Sequence, residues 1–162
     1  MLMNQPAATM RHRSPTPPQQ TADARGELQL FFKSLDAAMF DFDAEAVAAH
    51  FDLPCLMSGP EGSGSFSGRG ELRTHLMRTF SQYRQQGLTS ASLASLSLDA
   101  MSLDFAQSRI VWTFANARGH EVRSVAGAYT LRRSPPGSLG RWRIVHALSL
   151  AAARPRGEIL TL

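Results

Sequence analysis

The sequence contains little cysteine, little lysine and no long apolar run. Its single cysteine, Cys55, cannot form a disulfide within the chain, which excludes the framework of a small disulfide-rich domain. Cys55 lies in an apolar stretch, and this position predicts an unreactive thiol in the core. No apolar run approaches the roughly 18 residues that a membrane-spanning helix needs, so we expect no membrane span.

The first residues lack the apolar segment of a signal peptide. Polar and basic residues interrupt Met1–Pro18 repeatedly, which predicts a cytoplasmic protein and fits the lone cysteine. Early methionines at Met1, Met3 and Met10 leave the start of translation open.

Metal-binding patterns are missing as well. The 5 histidines and 13 acidic residues show no His-x-His pair and no His-Glu-x-x-His motif, so we predict no metal and no cofactor. The 17 basic residues leave a net charge of +4, and lysine occurs only at Lys33. The arginines are scattered and form no basic helix face, so nucleic-acid binding is not the expected function.

The chain is long enough for one domain with a core, and its hydrophobic content of 43% in 162 residues is typical of a globular protein. Residues 1–24 are rich in Pro, Gln, Thr and Ala without an apolar period, which predicts a disordered tail. We place the domain at residues 25–152 and a second tail at residues 153–162.

Apolar residues at helical spacing predict three helices, at Glu27–Phe40, at Ala44–His50, and from Ser67 or Gly68 to Gln86. Asp41 or Asp43 is expected to cap the second helix. Gly87 is expected to end the third in a left-handed conformation.

β-Branched and aromatic runs bounded by Gly and Pro predict strands at Leu53–Ser58, Ser65–Phe66, Leu88–Leu103, Arg109–Ala117, Glu121–Arg133 and Arg141–Leu150. The apolar positions change parity near Asp99-Ala100, which predicts a β-bulge there. Helices followed by strands indicate an α+β fold, with three helices packed on a strongly curved antiparallel sheet.

This order resembles the nuclear transport factor 2-like superfamily, the cone-shaped fold of SnoaL-like domains and ketosteroid isomerases. The residues that carry the resemblance are Phe51–Pro60 followed by Gly68–Leu72, the bent pair Leu96–Phe114, and the closing strand Trp142–Ser149. The superfamily contains isomerases, cyclases, dehydratases, hydrolases and binding proteins, so the fold does not fix the activity.

Two positions depart from the enzymes of that superfamily. Ketosteroid isomerases carry a catalytic aspartate at the end of the first strand, where this chain has Gly59 before Pro60. Without that carboxylate, the position cannot supply a general base. Leu148 stands where many SnoaL-like domains have a second histidine in the closing strand.

The resemblance implies a cavity between helices and sheet, and the predicted pocket consists of Phe32, Met57, Trp112, Asn116, Tyr129 and His146. His146 shares strand parity with Trp142 and Ile144, which predicts that it points into the cone as an acid/base or a ligand contact. The alternative is a buried histidine satisfied by neighbouring backbone.

The other predicted pocket residues have alternatives too. Trp112 can instead be an ordinary residue of the hydrophobic core, and Asn116 can lie at the end of its strand, outside the pocket. Tyr129 can serve a pocket or a subunit interface. Asp99, at the proposed bulge, is a further candidate carboxylate.

Three functions therefore stay open. The first is a SnoaL-like protein that binds a small apolar molecule in the cone. The second is an isomerase, cyclase or dehydratase that uses His146, with Tyr129 or Asp99 in support. The third is a protein-interaction module whose cone is filled by its own side chains. Because both parities of the last strands carry apolar residues, we also expect a homodimer through the sheet.

Overall fold

The computed structural model describes residues 17–60, 62–102, 104–133 and 142–153. Its elements are, in chain order, α1 (Pro17–Phe40), α2 (Ala44–Ala48), β1 (Phe51–Gly59), β2 (Gly62–Phe66), α3 (Arg69–Gln85), β3 (Leu88–Met101), β4 (Phe105–Asn116), β5 (Glu121–Arg133) and β6 (Trp142–Ala153). Three helices pack on a curved six-stranded sheet, so the predicted α+β cone is confirmed.

Helix α1 begins at Pro17 and not at the predicted Glu27. Ala24 and Leu28, one turn apart, are both fully buried, so the apolar stripe of the helix extends further towards the amino terminus than predicted. Residues 17–24, which the sequence placed in the tail, are therefore helical. The rest of that tail and residues 154–162 lie outside the described residues.

Two predicted helix-terminal residues are confirmed, although α2 ends at Ala48, before the predicted His50. The Asp43 carboxylate accepts hydrogen bonds from the backbone N–H groups of Glu45 and Ala46, each at 3.0 Å, and so caps α2. Gly87, after α3, has a φ of 79°, the left-handed conformation that glycine adopts without strain.

The strands follow the order β2-β1-β6-β5-β4-β3. Neighbours pair antiparallel except for β1 and β6, which are parallel. The sheet is therefore mixed, and the fully antiparallel sheet expected from the sequence is wrong at this pair. The register between β3 and β4 shifts between Leu98 and Ala100, as the predicted bulge requires.

The two faces of the sheet have different neighbours. We call the face towards the helices the inner face and the opposite one the outer face. In β4 every second residue is buried, namely Ala106, Ser108, Ile110, Trp112 and Phe114, and these define the inner face. Residues in register with them on β5 and β6 share that face.

Candidate functional site

The structure places His146 on the outer face. Leu131 of β5 pairs with Ile144, but its neighbour Thr130 pairs with His146, so Val145 is an extra residue in β6. Trp142 and Ile144 are buried on the inner side, whereas His146 is turned to the other side of the sheet. The predicted common face of His146 and Trp142 is therefore wrong, because the register shift inverts the parity between them.

His146 belongs instead to a chain of hydrogen bonds at the β1–β2 hairpin. Its Nε2 lies 3.2 Å from the hydroxyl oxygen of Ser58. Ser63, on β2, donates to the same Ser58 oxygen at 3.0 Å. If the Ser58 hydroxyl donates to Nε2, the neutral ring carries its own proton on Nδ1.

Tyr129 lies on the inner face and is the centre of the contacts there. The indole Nε1–H of Trp112 donates to its hydroxyl oxygen at 2.9 Å. The ring of Phe32, on α1, stacks on the phenol ring with 6.3 Å between centroids. Burial raises the pKa of Tyr129 to about 12, with the Trp112 bond opposing that shift. The phenol therefore stays protonated and can donate a hydrogen bond at neutral pH.

Met57 joins this group through the register of the sheet. It pairs with Ala147 of β6, which pairs with Tyr129, which in turn pairs with Ser108 of β4. These side chains form one row across the inner face, and Met57 packs against the core. Of the predicted pocket residues, Phe32, Trp112 and Tyr129 are thus in contact, and Met57 lies in the same row two strands from Tyr129.

Ser108, the last member of that row, was missed by the sequence reasoning. It is 1% exposed, and its hydroxyl has no hydrogen-bond partner among the described residues. A buried hydroxyl without a partner costs about 1–3 kcal/mol. The one signal in the sequence is its parity, because a serine here interrupts the apolar alternation of β4.

Three other buried polar atoms have no hydrogen-bond partner within the described part of the chain. They are Nε of Arg123, Nε of Arg133 and Nε1 of Trp142. The Arg123 guanidinium lies over the rings of Tyr83 and Phe114, at 5.2 Å and 5.0 Å. Arg133 covers the Trp142 ring at 5.5 Å. Ring contacts account for the arginine positions, and no ring contact of this kind accounts for Ser108.

Asn116 does not line the interior. Its side-chain oxygen accepts from the backbone N–H groups of Arg118 and His120, at 3.0 Å and 3.1 Å. It therefore shapes the turn between β4 and β5, which is the alternative that the sequence left open. Asp99 also lies away from the cone, because its carboxylate binds the Arg109 guanidinium at 2.8 Å on the outer face.

A carboxylate that the sequence reasoning did not single out lies between α1 and β3. Asp36, one helical turn after Phe32, accepts from the backbone N–H of Leu93 at 2.6 Å. The register between β3 and β4 shifts between Leu93 and Ser95. The Asp36 carboxylate therefore binds a backbone N–H next to a β-bulge. We assign Asp36 a structural role in fixing α1 on the sheet.

Cys55 is buried and free, and burial raises the pKa of its thiol, so it is an unreactive core residue. In the described ranges, no group of His, Cys, Asp and Glu side chains could hold a metal ion. None of the described helices is long and apolar enough to cross a membrane.

Two concavities lie on the outer face. The first, of about 230 Å³, is lined by the residues Asp99, Gln107, Ser108, Ala128, Tyr129, Thr130, His146 and Leu148. The second, of about 450 Å³, lies beside it and includes Arg109, Val111, Ala126 and Leu150. Both contact Ala128, so they adjoin. We call the first concavity the His146 recess.

Solved structures share this architecture. A protein of unknown function with a cystatin-like fold from Nostoc punctiforme has 15% identity and a TM-score of 0.63, over 83% of this chain and 94% of that one. An NTF2-like protein from Novosphingobium aromaticivorans has 18% identity and a TM-score of 0.64, over 82% and 84%. An NTF2-like protein of unknown function from Pseudomonas putida has 15% identity and a TM-score of 0.62, over 80% and 87%.

A comparison with curated proteins found no match. The family profile described as NTF2-like protein (DUF6841) matches residues 22–152, which span α1 to β6. The cone, the order of its strands and this match agree, and the chain belongs to the NTF2-like proteins of that family.

Proposed function

We propose that the protein binds a small, mainly apolar organic molecule between the helices and the inner face, at Tyr129. The observation that carries the proposal is the buried Ser108 hydroxyl without a partner, in the same cross-strand row as Tyr129. Buried polar groups are nearly always paired in native proteins, so an unpaired one points to a missing partner such as a ligand or a water.

The surroundings of Tyr129 favour a ligand of defined chemistry. Trp112 already donates to the Tyr129 oxygen, so the phenol proton is left for an acceptor on the ligand. Phe32 stacks on the Tyr129 ring, and Met57 adds an apolar side chain to the same face. Few polar groups inside an apolar wall are typical of sites for small organic molecules.

Native mass spectrometry of the protein purified from its own host tests this proposal. We expect a bound mass that is lost on denaturation, and we expect the Tyr129→Phe and Ser108→Ala variants to lose most of it. The control is His146→Gln, which changes only the outer face and is expected to retain the ligand. A ligand that survives in both inner-face variants but disappears in the control would contradict the proposal.

An isomerase, cyclase or dehydratase that uses His146 is the alternative. Strand register turns His146 to the outer face and Tyr129 to the inner face, which argues against joint action inside the cone, although both residues line the His146 recess. Asp99 is paired with Arg109 on the outer face as well. A plain interaction module is the third alternative, and the absence of any copurified compound would favour it.

We also propose that two copies associate through the outer face. Large apolar side chains are exposed there, with Leu56 at 38%, Phe105 at 52% and Leu150 at 48%. Several large exposed apolar residues on one face are typical of a surface that a partner covers. A cytoplasmic location remains a prediction from the sequence.

Sedimentation at micromolar concentration tests the association. The unmodified chain is expected to sediment as a dimer, and Leu150→Glu as a monomer, because a carboxylate cannot be buried in an apolar contact without a partner. Leu30→Glu is the matched control, since Leu30 is 70% exposed on α1, on the opposite side of the sheet. A monomeric unmodified chain would refute the proposal.

A further inference from the structure

The His146 recess offers polar groups that nothing in the described structure uses. Thr130 pairs with His146 on one side and with Gln107 on the other, so the three side chains stand in one row across β6, β5 and β4. Neighbouring strands lie about 4.8 Å apart, and the row therefore spans about 10 Å. All three line the recess.

The next row across the sheet runs from Leu148 through Ala128 to Arg109, and its first two members are apolar. Leu148 pairs with Ala128, and both line the recess beside the polar row. A molecule lying in the recess therefore meets a polar edge and an apolar floor, the combination that orients a small organic ligand.

The donors and acceptors of the row can be assigned. The hydrogen bond with Ser58 occupies Nε2 of His146, and in the tautomer in which Ser58 donates to it Nδ1–H remains as a donor. Among the described residues, no partner binds the side chains of Thr130 or Gln107, so the hydroxyl and the carboxamide each offer both a donor and an acceptor.

The charge in the recess argues against an ionised ligand. Asp99 is its acidic member, and the guanidinium of Arg109 already binds that carboxylate at 2.8 Å. Arg109 lines the adjoining concavity, and no side chain lining the recess itself carries a fixed positive charge. An anion would therefore meet a carboxylate with no free cation to balance it, whereas a neutral polar group meets the His146–Thr130–Gln107 row without that cost.

We infer that the His146 recess is a second binding site, for a small neutral molecule that carries a carbonyl beside an N–H group on an apolar ring. An amide, a lactam or a nucleobase has this chemistry. The carbonyl of the ligand accepts hydrogen bonds from Nδ1–H of His146 and from the hydroxyl of Thr130. The same carbonyl and the adjacent N–H of the ligand pair with the carboxamide of Gln107, which donates to the first and accepts from the second. The recess, of about 230 Å³, is smaller than the roughly 300–1,000 Å³ of drug-sized sites, so the ligand has about one ring.

This site is compatible with association through the outer face. The exposed Leu56 pairs with His146, the exposed Leu150 lines the adjoining concavity, and neither lines the recess itself. In a pair of copies they make the contact, and the recess is enclosed between the two sheets.

Benzamide is the probe, and its binding is followed by protein NMR chemical shifts and by calorimetry. Gln107→Leu is expected to lower the affinity for benzamide by roughly tenfold, and Thr130→Val by roughly threefold, since each removes a hydrogen bond. Thr74→Val, at an exposed position of α3, is the matched threonine control and should leave the affinity unchanged. Benzoate, of the same shape but charged, should bind roughly tenfold more weakly than benzamide. Circular dichroism and the melting temperature verify that each variant is folded.

Three results would overturn the inference. Equal or tighter binding of benzoate would make the recess an anion site. Unchanged benzamide affinity in both recess variants would place the probe elsewhere. An apparent affinity that falls as protein concentration rises would mean that a second copy fills the recess. None of these results bears on the ligand proposed for the cone, whose test uses Tyr129 and Ser108.

Discussion

Gly127, in the middle of β5, provides a direct test of the packing of the sheet. A Cβ atom built on Gly127 would lie 2.5 Å from the backbone oxygen of Leu148 and 3.4 Å from Cδ1 of Ile110. The first distance is far below a normal contact, and a backbone oxygen cannot move aside as the end of a side chain can. Gly127→Ala therefore forces β5 away from β6.

We expect Gly127→Ala to lower the free energy of unfolding by about 1–3 kcal/mol, the usual cost of an overpacked core. In a domain of this size, that loss lowers the melting temperature by roughly 3–10 °C. The matched control is Gly59→Ala in β1, where the added atom would lie 3.6 Å from Cβ of Ser149, an ordinary contact. Within a strand, alanine stabilises the folded chain relative to glycine by about 0.5–1 kcal/mol, so Gly59→Ala should be as stable as the unmodified chain or slightly more stable.

Chemical denaturation of the two variants and the unmodified chain measures the difference. If Gly127→Ala is as stable as Gly59→Ala, then Leu148 does not approach Gly127 as described, and the register of β5 with β6 is in error. The placement of His146 on the outer face depends on that same register. The result therefore bears on both proposed sites.

Three further predictions concern helix capping, the α1–β3 contact and pH. Asp43→Ala should lower the free energy of unfolding by about 1 kcal/mol, because α2 loses its cap. The control Asp41→Ala, at an exposed position, should change it by less than about 0.5 kcal/mol. Equal losses in the two variants would contradict the capping role of Asp43. Asp36→Ala should lower the free energy of unfolding by about 1–3 kcal/mol, because the backbone N–H of Leu93 loses its acceptor. Hydrogen exchange of the Leu93 amide measures this, and unchanged protection in the variant would refute the contact. The pKa of Tyr129 is raised from 10.0 to about 12, so the unfolded chain ionises first and stability should fall by roughly 1.4 kcal/mol per pH unit between these values and not below them. Tyr129→Phe should flatten that slope, and the same slope in both proteins would mean that Tyr129 is not buried.

The local signals of the sequence were reliable where one residue type decides the backbone. Gly87 after α3 and Asp43 before α2 were placed correctly, because a left-handed end and a cap each need a particular side chain. The bulge near Asp99 was visible because the apolar parity changes there within a single strand.

The misplacement of His146 has a different cause. Val145 is an apolar residue in an apolar strand, so its insertion leaves no break in the pattern of β6, and parity counted from Trp142 points the wrong way. The parallel pairing of β1 with β6 is equally hidden, since strands far apart in sequence carry no local sign of their relative direction. Ser108 was missed because only the register with Tyr129 shows that its hydroxyl is in the interior.

The central claim is that a ligand lies inside the cone against Tyr129 and Trp112. The most direct measurement is the ¹H–¹⁵N NMR spectrum of the protein titrated with the compound extracted from it. The indole N–H resonance of Trp112, which reports its bond to Tyr129, should shift, while the backbone resonance of His146 should not move. A shift at His146 with an unmoved Trp112 indole resonance would contradict the claim.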